Sequence, residues 1–145
     1  MAAPWNLTLS ANDGFPLAHE ARVQITNPVS FLAQKILIHG RRSRDERAKD
    51  ILYMHDTIET FANGTDVLQA EWVANVRHEL RANSLRTVQR AAASLFGEIT
   101  DSIRTASRIV QSRNLTPEAI RETCNLRFAQ IFHKEEKNPQ SSKNL

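Results

Sequence analysis

Apolar and polar residues alternate twice near the start of the chain. The first run is Trp5-Asn6-Leu7-Thr8-Leu9-Ser10 and the second is Ala21-Arg22-Val23-Gln24-Ile25-Thr26. A period of two predicts a half-buried strand at each. Between them, Asn12-Asp13-Gly14 and Pro16 predict a turn-rich connection. A two-stranded ribbon is marginal in water by itself. The strands of residues 1–26 are therefore expected to pack on the rest of the chain, or to complete a sheet belonging to a partner.

After residue 26 the period changes to that of a helix. Asn27 is a good N-cap and Pro28 a good first helical residue. Val29, Phe31, Leu32, Ala33, Ile36, Leu37 and Ile38 make the next helix apolar nearly all round, which predicts burial. Gly40, after His39, is the predicted stop. Ser43 and Glu46 have the spacing of a capping box and start a second helix. Its core face is Ala48, Ile51, Leu52, His55, Ile58 and Phe61 or Ala62, with Arg47, Asp50 and Thr57 off that face. Asn63-Gly64 closes it.

Thr65 or Asp66 is expected to cap a third helix that turns Val67, Leu68, Trp72, Val73, Val76 and Leu80 inward. Asn83-Ser84 reads as a break. Leu85, Val88, Ala92, Leu95, Phe96, Ile99, Ile103, Ala106 and Val110 then recur every three or four residues. That register favours one long helix to Gln111; the alternative is a break near Gly97 with Thr100 as a new cap. Thr116-Pro117-Glu118 starts the last helix, with Ile120, Cys124, Phe128, Ile131 and Phe132 inward. Residues 134–145 are polar and aperiodic, which predicts a disordered tail. The expected fold is mainly α (α+β): an irregular bundle of five or six helices over residues 27–133, preceded by two short strands.

Composition narrows the class. Only 4 glycines and 5 prolines in 145 residues leave too few turn residues for a many-stranded barrel or sandwich. No apolar run reaches the length of a membrane span, and the N-terminus lacks the basic and apolar regions of a signal peptide. Cys124 is the only cysteine, so no internal disulfide is available and a reducing compartment fits. A cytoplasmic location is expected. On its apolar face Cys124 is expected to be a buried, inert thiol. The formal charge of +3 permits a polyanionic partner without requiring one. The Arg86-Arg90-Arg104-Arg108 spacing is expected to be a solvated face.

Candidate chemistry centres on residues 27–63. Lys35 lies in an apolar frame and must snorkel, pair or line a cleft. Arg41, Arg42 and Arg44 crowd the turn, with Arg47 just beyond. Asp50 falls where it can meet Arg47, and the preceding helix can bring Lys35 alongside. Such a trio reads first as an ion pair pinning two helices. His55 is expected to be a hydrogen-bonded core histidine. Glu59 alone does not make it a metal site. No Gly-rich phosphate loop, nucleophile elbow or zinc signature occurs.

The runs PVSFLAQKILIHGRR and DERAKDILYMHDTIETF, with APWNLTLS and VQITNP ahead of them, resemble the downstream half of bacterial nucleotidyltransferase-like proteins. These belong to the DNA-polymerase-beta superfamily, in the branch of abortive-infection toxin-type enzymes. The resemblance spans about residues 3–63, and the later helices match only as a generic helical region. It implies metal-dependent nucleotidyl transfer, with Lys35 in the place of the lysine that contacts nucleotide phosphates. Asp50 takes the place of the acidic residue of the second helix. The family's Gly-Ser turn and acid-x-acid strand precede the matched region, and neither motif occurs here. Two-metal chemistry needs those clustered carboxylates. The chain is thus expected to be inactive alone, and to bind no cofactor by itself. A catalytic N-terminal chain would supply the site for Mg and a nucleoside triphosphate, which this chain completes or regulates. The other reading is a protein- or nucleic-acid-binding helical module of antitoxin or regulator type. A third is a homo-oligomer joined through the strands.

Overall fold

The computed structural model describes residues 2–14 and 16–133. The tail predicted for residues 134–145 lies outside them. Strands β1 (Trp5–Leu9) and β2 (Ala21–Ile25) pair antiparallel with Trp5 opposite Ile25, Leu7 opposite Val23 and Leu9 opposite Ala21. The two alternating runs thus place their apolar residues on one face, as strand geometry requires. The connection starts as a short 3-10 turn, Ala11–Asp13, closed by Gly14 at a left-handed φ of 84°. Glycine adopts that conformation without a Cβ clash. Trp5 anchors the hairpin to the helices, its ring meeting Phe61 edge-on with centroids 5.6 Å apart.

Helix α1 (Pro28–Ile38) begins as predicted. The Asn27 side-chain oxygen accepts from the amides of Val29 at 3.0 Å and Ser30 at 3.2 Å. Its amide nitrogen donates to Glu71 at 2.6 Å, so one buried side chain both caps α1 and ties it to the third helix. The end of α1 differs from the expectation. Gly40 does not take a left-handed stop but sits inside a 3-10 turn, His39–Arg41. The carbonyls left over there are taken by Arg47, whose Nε reaches His39 O at 3.0 Å and whose Nη2 reaches Gly40 O at 2.9 Å. Helix α2 (Arg44–Thr60) starts in the predicted capping box: Ser43 N–H donates to Glu46 at 2.9 Å and Glu46 N–H to the Ser43 hydroxyl at 3.4 Å.

Helix α3 (Thr65–Glu71) is capped by Gly64 rather than by Thr65 or Asp66; Thr65 is already helical. It runs on through a π-helical turn, Trp72–Val76, and a 3-10 turn, Arg77–Glu79. Val67 is exposed, against its predicted inward position, while Leu68, Trp72 and Val76 are buried. The break falls at Leu80 and Arg81, which are extended, and not at Asn83-Ser84, which lie in the first turn of α4 (Ala82–Gln89).

The single long helix favoured for the following stretch is not formed. It divides into α4, α5 (Ala91–Phe96) and α6 (Asp101–Ile109), and Thr100 caps α6 by accepting from Ile103 N. This is the alternative with a break near Gly97, with a further interruption at Arg90. Val110, at the far end of the expected stripe, is exposed. The division raises the bundle to seven α-helices among the described residues. After a 3-10 turn and a left-handed Asn114, α7 (Pro117–Ile131) buries four of the five predicted residues, and its buried C-cap, Phe132, is the fifth.

The architecture is therefore mainly α, with the hairpin preceding an irregular bundle. Helix α2 packs against α1, α6 and α7, and α7 packs against α5. Four rings meet edge-on in a chain: Phe96 and Phe128 at 5.0 Å, Phe128 and Phe132 at 5.5 Å, Phe132 and Trp72 at 4.9 Å. Each such side chain contributes about 1.5–3 kcal/mol by leaving water. No helix among the described residues is long and apolar enough to cross a membrane.

Candidate functional site

The elbow between α1 and α2 gathers most of the side chains singled out in the sequence. Asp50, predicted off the core face, is fully buried. Helix α2 packs against α1, α6 and α7, so its buried face is wider than the apolar stripe suggests. A lone carboxylate there would be costly. Lys35 Nζ lies 2.7 Å from one oxygen and Arg42 Nε 3.0 Å from the other. The Lys35 side chain is 16% exposed and that of Arg42 32%, so both cations reach solvent past the acid they neutralise.

The trio expected from Lys35, Asp50 and Arg47 forms instead from Lys35, Asp50 and Arg42. Arg47 leaves it for the His39 and Gly40 carbonyls. Arg42 also meets Glu46 at 3.3 Å. Residues 42, 46 and 50 repeat every four positions, and this spacing was the available signal for Arg42. Hydrogen bonds from Ser43 hold the Glu46 carboxyl below its usual range, with Arg42 adding to the effect.

Lys35 Nζ also lies 5.5 Å from the Phe31 ring centroid and 5.9 Å from that of Tyr53. Tyr53 is 48% exposed. An open cleft of about 470 Å³ lies between β2, α1 and α2, with Phe31, Tyr53 and Phe61 in its wall. On other sides of the elbow, Arg41 lines a cleft of about 400 Å³ with Leu37, Val76 and Leu80. His39 and Arg47 line a third, of about 340 Å³, facing Ser94 and Ser102. Burial pushes the His39 imidazole below its ordinary value, and Arg47 does so further, against the opposing pull of Asp50.

Arg41, Arg44 and Lys49 remain exposed and, among the described residues, without an ion-pair partner. Residues 35–50 hold six Lys and Arg against three Asp and Glu. That surplus of three equals the formal charge of the whole chain. The rest of the sequence is balanced. Arg86 on α4, Arg90 between α4 and α5, and Arg104 and Arg108 on α6 are all exposed, Arg104 pairing with Asp101 at 3.1 Å.

His55 is buried as expected, its Nδ1 3.3 Å from Asp56. Cys124 is buried too, and burial pushes its thiol far up, away from the reactive thiolate. Sequence reasoning missed the pair of Asp56 with Arg113, because no local pattern links residues that far apart. Among the described residues no cluster of His, Cys, Asp or Glu could hold a metal ion. Asp50 does not fit that role, since both of its oxygens are engaged by cations. No protein-family model, curated protein or solved structure matches the chain.

Proposed function

We propose that the chain is a helical nucleic-acid-binding module that docks through the α1–α2 elbow. The observation that carries this reading is the concentration of the chain's whole positive surplus in residues 35–50. The buried Asp50 clamp and the Arg47 cap fix the backbone of the turn, and Arg41, Arg44 and Lys49 project from it unpaired among the described residues. A preformed turn with free cations suits phosphate contacts, which position a protein without reading sequence.

Titration of labelled duplex DNA and RNA, followed by anisotropy at several salt concentrations, tests it. Three phosphate contacts give a slope of log affinity on log salt of about −3 on B-form DNA. The triple variant Arg41→Gln, Arg44→Gln, Lys49→Gln removes that slope, whereas Arg86→Gln with Arg104→Gln leaves it. Absence of binding even at low ionic strength overturns the reading.

A second reading, in which the elbow completes a nucleotide-transfer site supplied by another chain, draws support from the Lys35 ammonium beside Phe31 and an exposed Tyr53. There a ring face and a cation adjoin an open cleft. Any Mg would be held by the partner's carboxylates, and a phosphate would have to compete with Asp50 for Lys35. Nucleotide affinity of the assembled complex, unchanged by Lys35→Met, would remove this reading.

A further inference from the structure

The hairpin meets the core at its Trp5 end. Trp5 packs against the core, while Leu7, Leu9, Ala21 and Val23 extend the same apolar face beyond it without joining the core cluster. Leu7, at the centre of β1, is 39% exposed. The sheet has two strands, so among the described residues the outer edge of β1 carries unused backbone donors and acceptors. Exposed edges are ordinarily protected by charge, proline or a bulge. Within Trp5–Leu9 there is no charge, no proline and no bulge; the charged residue of the two strands is Arg22, on β2.

We propose that two copies of the chain join through the outer edges of β1, on a two-fold axis at Leu7, forming a four-stranded sheet ordered β2-β1-β1-β2. The sequence of the strand selects a second copy as occupant. Apolar and polar positions in Trp5-Asn6-Leu7-Thr8-Leu9 are symmetric about Leu7. Antiparallel pairing on that axis sets Leu7 against Leu7, Asn6 against Thr8, and Trp5 against Leu9. Every opposed pair is then alike in polarity, which is how cross-strand pairs stabilise a sheet. A two-fold contact is self-complementary by construction, and an uncharged strand meets itself without repulsion. Two copies supply the four strands that a lone ribbon lacks. The joined sheet presents one continuous apolar face, with the polar Asn6, Thr8, Arg22 and Gln24 on the other.

Sedimentation of the full chain over a range of concentrations gives the first readout, with a reversible monomer–dimer equilibrium expected. Leu7→Lys sets two ammonium groups against each other and weakens the dimer at least about tenfold. Its far-UV spectrum stays native, because Leu7 is outside the core. The register has its own test. Directly opposed Cα atoms are about 4.5–5.5 Å apart, within disulfide range. Oxidised Leu7→Cys should crosslink to a dimer, and Asn6→Cys should not, since Asn6 faces Thr8; the native Cys124 is buried and does not interfere. A chain that stays monomeric at every concentration overturns the proposal. So does a dimer indifferent to Leu7→Lys, or one crosslinked through Asn6→Cys and not through Leu7→Cys.

Discussion

The Arg113 guanidinium holds the Asp56 carboxylate of α2 with two parallel hydrogen bonds, at 2.8 and 2.9 Å. This pair fastens the turn between α6 and α7 to the central helix. Burial alone would raise the Asp56 carboxyl, but the bonds from Arg113 and His55 outweigh it and hold the group below its ordinary value. Such a group contributes stability that is fully present above the unfolded carboxyl value of about 3.9 and is lost as pH falls through the lower folded value. Arg113→Gln should flatten that acid limb of a stability–pH curve. At 40% and 37% exposure the pair contributes no more than about 1 kcal/mol. An acid limb unchanged in Arg113→Gln at low salt would show that the pair is not responsible.

The Asp50 clamp should be far more sensitive. Lys35→Met with Arg42→Leu leaves a buried carboxylate without a cation and should cost about 3–5 kcal/mol in urea denaturation. Adding Asp50→Asn should recover part of the loss, because the buried charge is then gone. A double variant within experimental error of the native chain would mean that Asp50 is reached by water.

Gly97 discriminates between a broken and a continuous helix. A Cβ at this position would collide with the Ala93 carbonyl oxygen, and the Gly97 carbonyl also accepts from Arg121 of α7, at 3.1 and 3.3 Å. Gly97→Ala should destabilise by about 1–3 kcal/mol through overpacking. In one long helix the same change would stabilise by about 1 kcal/mol. The sign of the thermal shift decides.

Asn27 unites a cap and a buried contact. Asn27→Ala should cost about 1–3 kcal/mol, combining a lost cap with an unpaired Glu71. Asn27→Asp keeps the cap but sets two carboxylates against each other across the present 2.6 Å contact. That variant should be relatively more stable at mildly acidic pH than at neutral pH, as followed by urea titration. A variant equally stable at both would separate the two roles.

Cys124 should resist thiol reagents for as long as the bundle stays folded. Burial, with the Glu59 and Asp56 charges adding to it, keeps the thiol protonated. Its labelling rate should follow unfolding through a denaturant series. Fast labelling of a chain with a native spectrum would contradict this.

The alternating strands, the Asn27 and Ser43 caps and the α7 stripe were legible because each rests on neighbours in sequence. The break after Phe96 was visible only as an alternative, since the apolar register runs through it unbroken. What decides it is the crowding at Ala93, which is a property of the folded turn. Asp50 was placed off the core face because an apolar stripe records only apolar burial. A carboxylate follows it inside when two cations come too, and one of these lies on another helix. Arg47 shows the same limit. Its charge pointed to Asp50, but the unpaired carbonyls at the end of α1 made the stronger claim.

The two tryptophans differ in burial. Trp72 is sealed against Phe132 in the bundle, whereas Trp5 holds the half-buried root of the hairpin. Their fluorescence therefore separates two events that ellipticity merges. Detachment of the hairpin would red-shift and expose to iodide only the Trp5 emission. Loss of the Trp72 signal would mark dissolution of the bundle.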